Sequence, residues 1–175
     1  MDKNSIITYE RVLVEKFVFT SRRVDKSFSD FIWGLDYEDT GKSEGEVRYK
    51  LLQVNKVITK KILSFLSQIP LEKYLWEHIK RFEFDINKMQ LGEYVPMHNE
   101  VNQKSPFEIL FWLTKTDSYL GREFVMQGEN VDTTFKPKNG SVCVLDTIQP
   151  SVFHGVNPLL SNTEVITITG GLGRK

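Results

Sequence analysis

The chain has 175 residues, with 23 Lys and Arg balanced by 23 Asp and Glu, 40% hydrophobic residues, and twelve Phe, six Tyr and three Trp. That length suits one domain over 1–175, and the aromatic content is enough for a packed core, which excludes wholesale disorder. Zero net charge provides no long-range field for a polyanion, so neither nucleic acid nor a membrane surface is an expected partner.

Cys143 is the only cysteine, which rules out an intrachain disulfide and a Cys-rich zinc site. Asp, Lys, Glu and Arg interrupt the first twenty residues, so no signal peptide is expected. No run approaches the roughly 18 apolar residues of a membrane span. The expected compartment is the cytoplasm, and the oligomeric state is not legible.

In chain order, residues 1–81 read as mainly helical support with one or two strands. RVLVEKFVF (Arg11–Phe19) is a strand, followed by a polar loop around Asp36–Glu46, whose acidic stretch Asp36–Asp39 is a solvated loop or a lid. Val47, Leu51, Val54, Ile58, Ile62, Phe65 and Ile69 recur at steps of three and four, one face of a long amphipathic helix. Pro70 ends it, and Leu71–Lys80 forms a shorter helix with Leu71, Leu75 and Ile79 inward and His78 exposed.

From residue 82 the pattern is short strands separated by turns. Phe82, Phe84 and Ile86 alternate with polar residues, and Leu91–Gly92 turns the chain into Tyr94–Val101. Phe107–Thr114, Arg122–Gln127, Ser141–Asp146, Ser151–Val156 and Val165–Thr169 follow. About seven strands at roughly ten-residue spacing suggest a sandwich or barrel. Helices first and strands second define an α+β chain. Trp112, Met97, Met126 and Cys143 read as packing residues, Tyr94 as a packing or cavity residue, and Gly170–Gly173 as a flexible terminus.

The chemical signal is His98-Asn99-Glu100. Residues i and i+2 of a strand share a face, so an imidazole and a carboxylate stand side by side there. His154, in SVFHGVNP and 56 residues on, can supply a third donor from another strand. Two His and one carboxylate leave open positions on a metal, a geometry suited to non-haem Fe(II). A lone H-x-E also arises by chance, and a lone His is more often a core or surface residue than a ligand.

Four successive pieces resemble the iron(II)- and 2-oxoglutarate-dependent dioxygenases, in the prolyl-hydroxylase-like branch. They are Ile86–Glu100 with its Gly turn and H-x-E strand, Phe107–Gly128 with Gly121-Arg122-Glu123-Phe124 in the "G-G-E-L" place, Pro137–Thr147, and Ser151–Leu159 with the distal His. The resemblance covers about half the chain. It implies a double-stranded β-helix (jelly roll) over 82–175, supported by the N-terminal helices, with Fe(II) held by His98, Glu100 and His154. The implied activity is a hydroxylase using O2 and 2-oxoglutarate on a small molecule or an amino-acid side chain.

The family binds the distal carboxylate of 2-oxoglutarate with an Arg or Lys about ten residues beyond the distal His, and the residue at that place here is Glu164. Lys115, with the parity of Phe107, Ile109, Phe111 and Leu113, is the first candidate replacement. Arg122 is the second, and Arg174 reads as solvated. An oxygenase of the same fold that does not use 2-oxoglutarate, and a non-catalytic jelly-roll binding module, are the alternatives.

Overall fold

FEILFWLT (Phe107–Thr114) is buried at all eight positions, the signature of a strand covered on both faces, and the rest of the molecule is layered around it. The computed structural model describes residues 12–14, 17–21, 24–41, 46–47, 49–51, 53–69, 73–99, 107–116, 118–128, 131–146 and 153–171. Among them the N-terminal elements are β1 (Val12–Val14), β2 (Phe17–Ser21), α1 (Lys26–Trp33), β3 (Glu38–Asp39), β4 (Tyr49–Lys50), α2 (Lys56–Leu66) and α3 (Lys73–Ile79). The strands that follow are β5 (Glu83–Met89), β6 (Val95–His98), β7 (Phe107–Thr114), β8 (Phe124–Gly128), β9 (Val131–Phe135), β10 (Ser141–Asp146), β11 (Phe153–Val156) and β12 (Val165–Gly171).

They form two antiparallel sheets. The larger has the order β1-β2-β10-β7-β12-β5-β4-β3, and the smaller β6-β11-β8-β9. The two faces of β7 separate two cores. Phe107, Ile109, Phe111 and Leu113 face the helices, packing with Phe28, Ile32, Ile58, Ile62 and Phe65. Leu110 and Trp112 face the smaller sheet and join Met89, Phe124, Met126, Cys143, Val156 and Val165. Period-two alternation thus assigns each residue of the central strand to the helix layer or to the space between sheets.

The helices are set by caps as much as by apolar faces. Asp25 caps α1 by accepting the Ser27 amide, and Asn55 caps α2 by accepting those of Val57 and Ile58. The Asn55 cap shortens the helix expected over Val47–Ile69. Within its expected first turns lie β4, paired with β5, and Leu51, whose amide bonds to the Ile86 carbonyl, while Val47 precedes that strand. Ile58, Ile62 and Phe65 keep the expected inward register. Leu71 lies outside the described residues.

Other differences follow the same pattern, with tertiary pairing overriding local signals. Where one strand was expected over Arg11–Phe19, the described residues form two antiparallel strands, Val12–Val14 and Phe17–Ser21, and the polar loop contributes β3, so among the described residues four short strands rather than one or two precede residue 82. Helix α1 and strand β9 carried no sequence signal. Gly170 and Gly171 extend β12 opposite Phe84 and Glu83. A Cβ on Gly170 would fall 2.6 Å from the Phe84 ring, so this glycine admits a close aromatic contact; Leu172 and Gly173 lie outside the described residues. His78 is half-buried with its ring 5.3 Å from that of Phe107, and Met97 is exposed rather than packed. Cys143 is buried as expected; burial, with a smaller contribution from the negative charge of Glu108, pushes its thiol pKa up. No helix among the described residues is long and apolar enough to cross a membrane.

Candidate functional site

Antiparallel pairing of β6 with β11 sets His98 directly opposite His154, and the two rings lie 4.3 Å apart. The approach is close because residue 155 is glycine. A Cβ there would fall 2.9 Å from both the Met97 sulfur and the Val95 carbonyl oxygen, and the ladder is irregular between His154 and Val156. The Phe124 ring on β8 stacks against His154 with centroids 5.7 Å apart. His98 Nδ1 lies 2.8 Å from the Pro96 carbonyl oxygen. A carbonyl only accepts, so the proton of the neutral ring sits on Nδ1 and Nε2 carries the lone pair. This is the backbone contact that commonly orients a ligating imidazole.

Both imidazoles line a cavity of about 350 Å3 between the sheets, with Met89, Tyr94, Glu108, Leu110, Phe124 and Thr167 also on its wall. Tyr94 therefore faces the cavity. Glu108, which the sequence reading passed over, extends from β7 to within 3.8 Å of His154 Nε2, and both side chains are almost fully buried. Glu100 lies outside the described residues. Among the described residues no three His, Cys, Asp or Glu side chains form a group that could hold a metal ion. The two imidazoles, one with its tautomer set by Pro96, are donor types that suit a divalent ion once a third ligand joins them.

The two candidate cations stand on opposite sides of the larger sheet. Lys115 follows the odd-numbered, helix-facing side of β7. Its ammonium lies 4.6 Å from the Trp33 ring centre and 2.7 Å from Glu164, and it is largely solvent-exposed. Glu164 also meets Lys88 at 3.6 Å. The Lys115 hydrogen bond is the main reason the Glu164 carboxyl pKa is lowered.

Arg122 is fully buried. Its Nε donates to Met89 Sδ at 3.1 Å and its Nη2 to Thr167 Oγ1, and both of those residues line the cavity. Its Nη1 has no acceptor among the described residues, and neither has the indole Nε1 of Trp112, which is the Cα partner of Thr167 across β7–β12. Burial, partly offset by Tyr119, lowers the guanidinium pKa to about 9. The backbone is constrained as well: Arg122 has φ 61°, a left-handed conformation uncommon for a residue with a Cβ. Its amide bonds to the Pro158 carbonyl at 3.0 Å, and Leu160 N–H bonds to the Leu120 carbonyl at 2.9 Å. These contacts hold the strained conformation in place around a buried cation.

Neither a protein-family model nor a curated protein sequence matches the chain. Solved structures do match. A prolyl-4-hydroxylase from Pseudomonas putida aligns with TM-score 0.58 at 14% identity, over 91% of this chain and 93% of its own. The viral collagen prolyl hydroxylase from Paramecium bursaria Chlorella virus-1, in complex with 2OG, aligns with TM-score 0.53 at 14% identity, over 89% of this chain and 94% of its own. A truncated form of that viral enzyme gives 0.54 at 13%, over 97% and 98%. The chain has the fold of these hydroxylases, in agreement with the branch that its four sequence pieces resemble.

Two outcomes follow from the geometry. Gly155→Ala forces β11 away from β6; it should lower stability by about 1–3 kcal/mol and weaken binding of Mn(II), read by thermal unfolding and titration calorimetry. Glu164→Gln should cost less than about 1 kcal/mol at neutral pH, because the pair is partly exposed. The folded-state carboxyl pKa lies below its ordinary 4.5, so this stabilisation is complete above 4.5 and lost as pH falls through the lowered value. Urea unfolding of mutant and wild type should therefore converge in acid.

Proposed function

We propose that the protein is a non-haem Fe(II) oxygenase on a double-stranded β-helix, using 2-oxoglutarate and O2 to hydroxylate a small molecule or an amino-acid side chain. The observation that carries this is the registered pair His98–His154 on the wall of an inter-sheet cavity. The shared fold with prolyl hydroxylases supports it. His98, His154 and Glu100 are the assigned metal ligands, and Arg122 is assigned to the distal carboxylate of the co-substrate in preference to Lys115. When bound, Fe(II) with 2-oxoglutarate supplies the oxidising power to break a substrate C–H bond with O2.

The chain's own residues bind and orient. Pro96 holds His98 in the tautomer that presents Nε2. Phe124 fixes the plane of His154 and, with Leu110 and Val156, keeps the cavity wall apolar. The buried guanidinium of Arg122 offers a charged donor where a carboxylate would otherwise be desolvated without compensation. Thr167 and Met89 hold that guanidinium through Nη2 and Nε, leaving Nη1 for the ligand.

A second reading keeps the iron and omits 2-oxoglutarate. Glu164 favours it, since an acid tied to Lys115 and Lys88 occupies the place where the family carries its usual cation. One anaerobic experiment separates the two. Adding 2-oxoglutarate to the Fe(II) protein should produce a visible charge-transfer band under the first reading and none under the second. His98→Ala and His154→Ala should each abolish stoichiometric Fe(II) binding. Arg122→Met should weaken 2-oxoglutarate at least about 30-fold, the size of a lost buried charge contact, whereas Lys115→Met should leave its affinity unchanged.

A further inference from the structure

Away from the histidines the cavity wall becomes polar. Lys50 on β4, Asp85 and Asn87 on β5, and Thr169 on β12 all line it. Lys50 is the Cα partner of Asn87, and Asp85 that of Thr169. Directly opposed residues share a face of a sheet, so the four side chains form two adjacent rows on the floor that the larger sheet gives the cavity. The first row carries an ammonium and an amide, the second a carboxylate and a hydroxyl. Lys50 Nζ links the rows, 2.9 Å from Asp85 Oδ1. The fold draws little from this group. The Lys50 and Asp85 side chains are 35% and 60% exposed, and an ion pair so open to water contributes little to stability. Asn87 and Thr169 are half-buried, and among the described residues neither the Asn87 amide nor the Thr169 hydroxyl has a hydrogen-bond partner.

We propose that this floor selects a free α-amino acid as the molecule to be hydroxylated, rather than a residue within a peptide. The inference rests on the reading of the cavity as the substrate site of an oxygenase. An α-amino acid carries an ammonium and a carboxylate on one carbon, and both charges vanish when it is built into a chain. The Lys50–Asn87 row offers donors to the carboxylate, and the Asp85–Thr169 row offers acceptors to the ammonium. Each charge of the ligand then meets an opposite charge and a neutral hydrogen-bonding neighbour. The Lys50–Asp85 pair opens to admit them at little cost, because water already weakens it. With both charged groups held at the floor, the rest of the amino acid is free to reach the histidine end of the cavity. The cavity volume of about 350 Å3 is at the small end of ligand pockets, which run from roughly 300 to 1,000 Å3, and suits one compact molecule beside a co-substrate.

The test uses the full chain, both alone and with Mn(II) and 2-oxoglutarate added. Titration calorimetry measures binding of each common free L-amino acid, of its Nα-acetyl form and of its carboxamide. At least one free amino acid should bind, and blocking either end should weaken it at least about tenfold, the effect of one lost charge-assisted contact. Lys50→Met should bind that amino acid and its carboxamide alike, and Asp85→Asn should bind it and its Nα-acetyl form alike. Equal binding of free and blocked forms by the wild type, or no binding of any free amino acid, overturns the inference. That comparison uses the unaltered chain, so it decides even where a variant fails to fold. The charge-transfer band of the Fe(II) protein with 2-oxoglutarate separates this inference from the reading beneath it. A band without preference for unblocked ends overturns the amino-acid assignment and leaves the oxygenase standing. Selective binding without a band supports the amino-acid site and removes 2-oxoglutarate from the reaction.

Discussion

The pairing of β6 with β11 is the constraint from which the candidate site follows. Two histidines 56 residues apart in sequence meet only because an antiparallel ladder puts them in one register position. A one-residue slip would send one imidazole to the outer face. The register is held by sequence on both strands. Gly155 lets the backbones approach, the Pro96 carbonyl accepts a hydrogen bond from the His98 ring N–H, and Phe124 stacks on His154. The smaller sheet has four strands, and both histidines sit on neighbouring members of it. The larger sheet contributes the opposite wall and, through Glu108, a charge.

Much of this architecture could be read from the chain because its strongest signals are also its physical causes. FEILFWLT and SVCVLD have no polar face to expose, and they became β7 and β10 with the expected bounds. The distal-His strand and the turn at Gly92 are local in origin, so they too were legible. The helix over Val47–Ile69 was overextended because strand and helix periods both accept Val47 and Leu51. What separated them was the β4–β5 ladder, a contact with residues some forty positions away. Glu108 escaped notice for a related reason. Inside a strand buried on both faces, one charged letter does not announce which cavity it enters.

The two cations show where parity reasoning needs a third dimension. Lys115 has the parity of Phe111 and Leu113, and that parity belongs to the helix layer. Arg122 precedes a strand, in a loop where alternation does not apply. Its inward course depends on consecutive left-handed residues, Gly121 at φ 74° and Arg122 at φ 61°. The first is natural for glycine, and a Cβ there would in any case collide with the Pro158 carbonyl. The second costs on the order of 1–3 kcal/mol. The bonds tying this loop to Pro158 and Leu160 hold that conformation, and it carries a buried guanidinium onto Met89 and Thr167. Such a conformation cannot be foreseen from residue type.

The chain's single sulfhydryl has a further implication. Cys143 is sealed on the inner face of β10, and burial raises its pKa, so native molecules present almost no thiolate to solvent. Because thiolate is the form that reacts with alkylating reagents, labelling at this position has to await separation of the layers. The fold thereby contains its own one-site clock for core opening, readable by mass without introducing any probe.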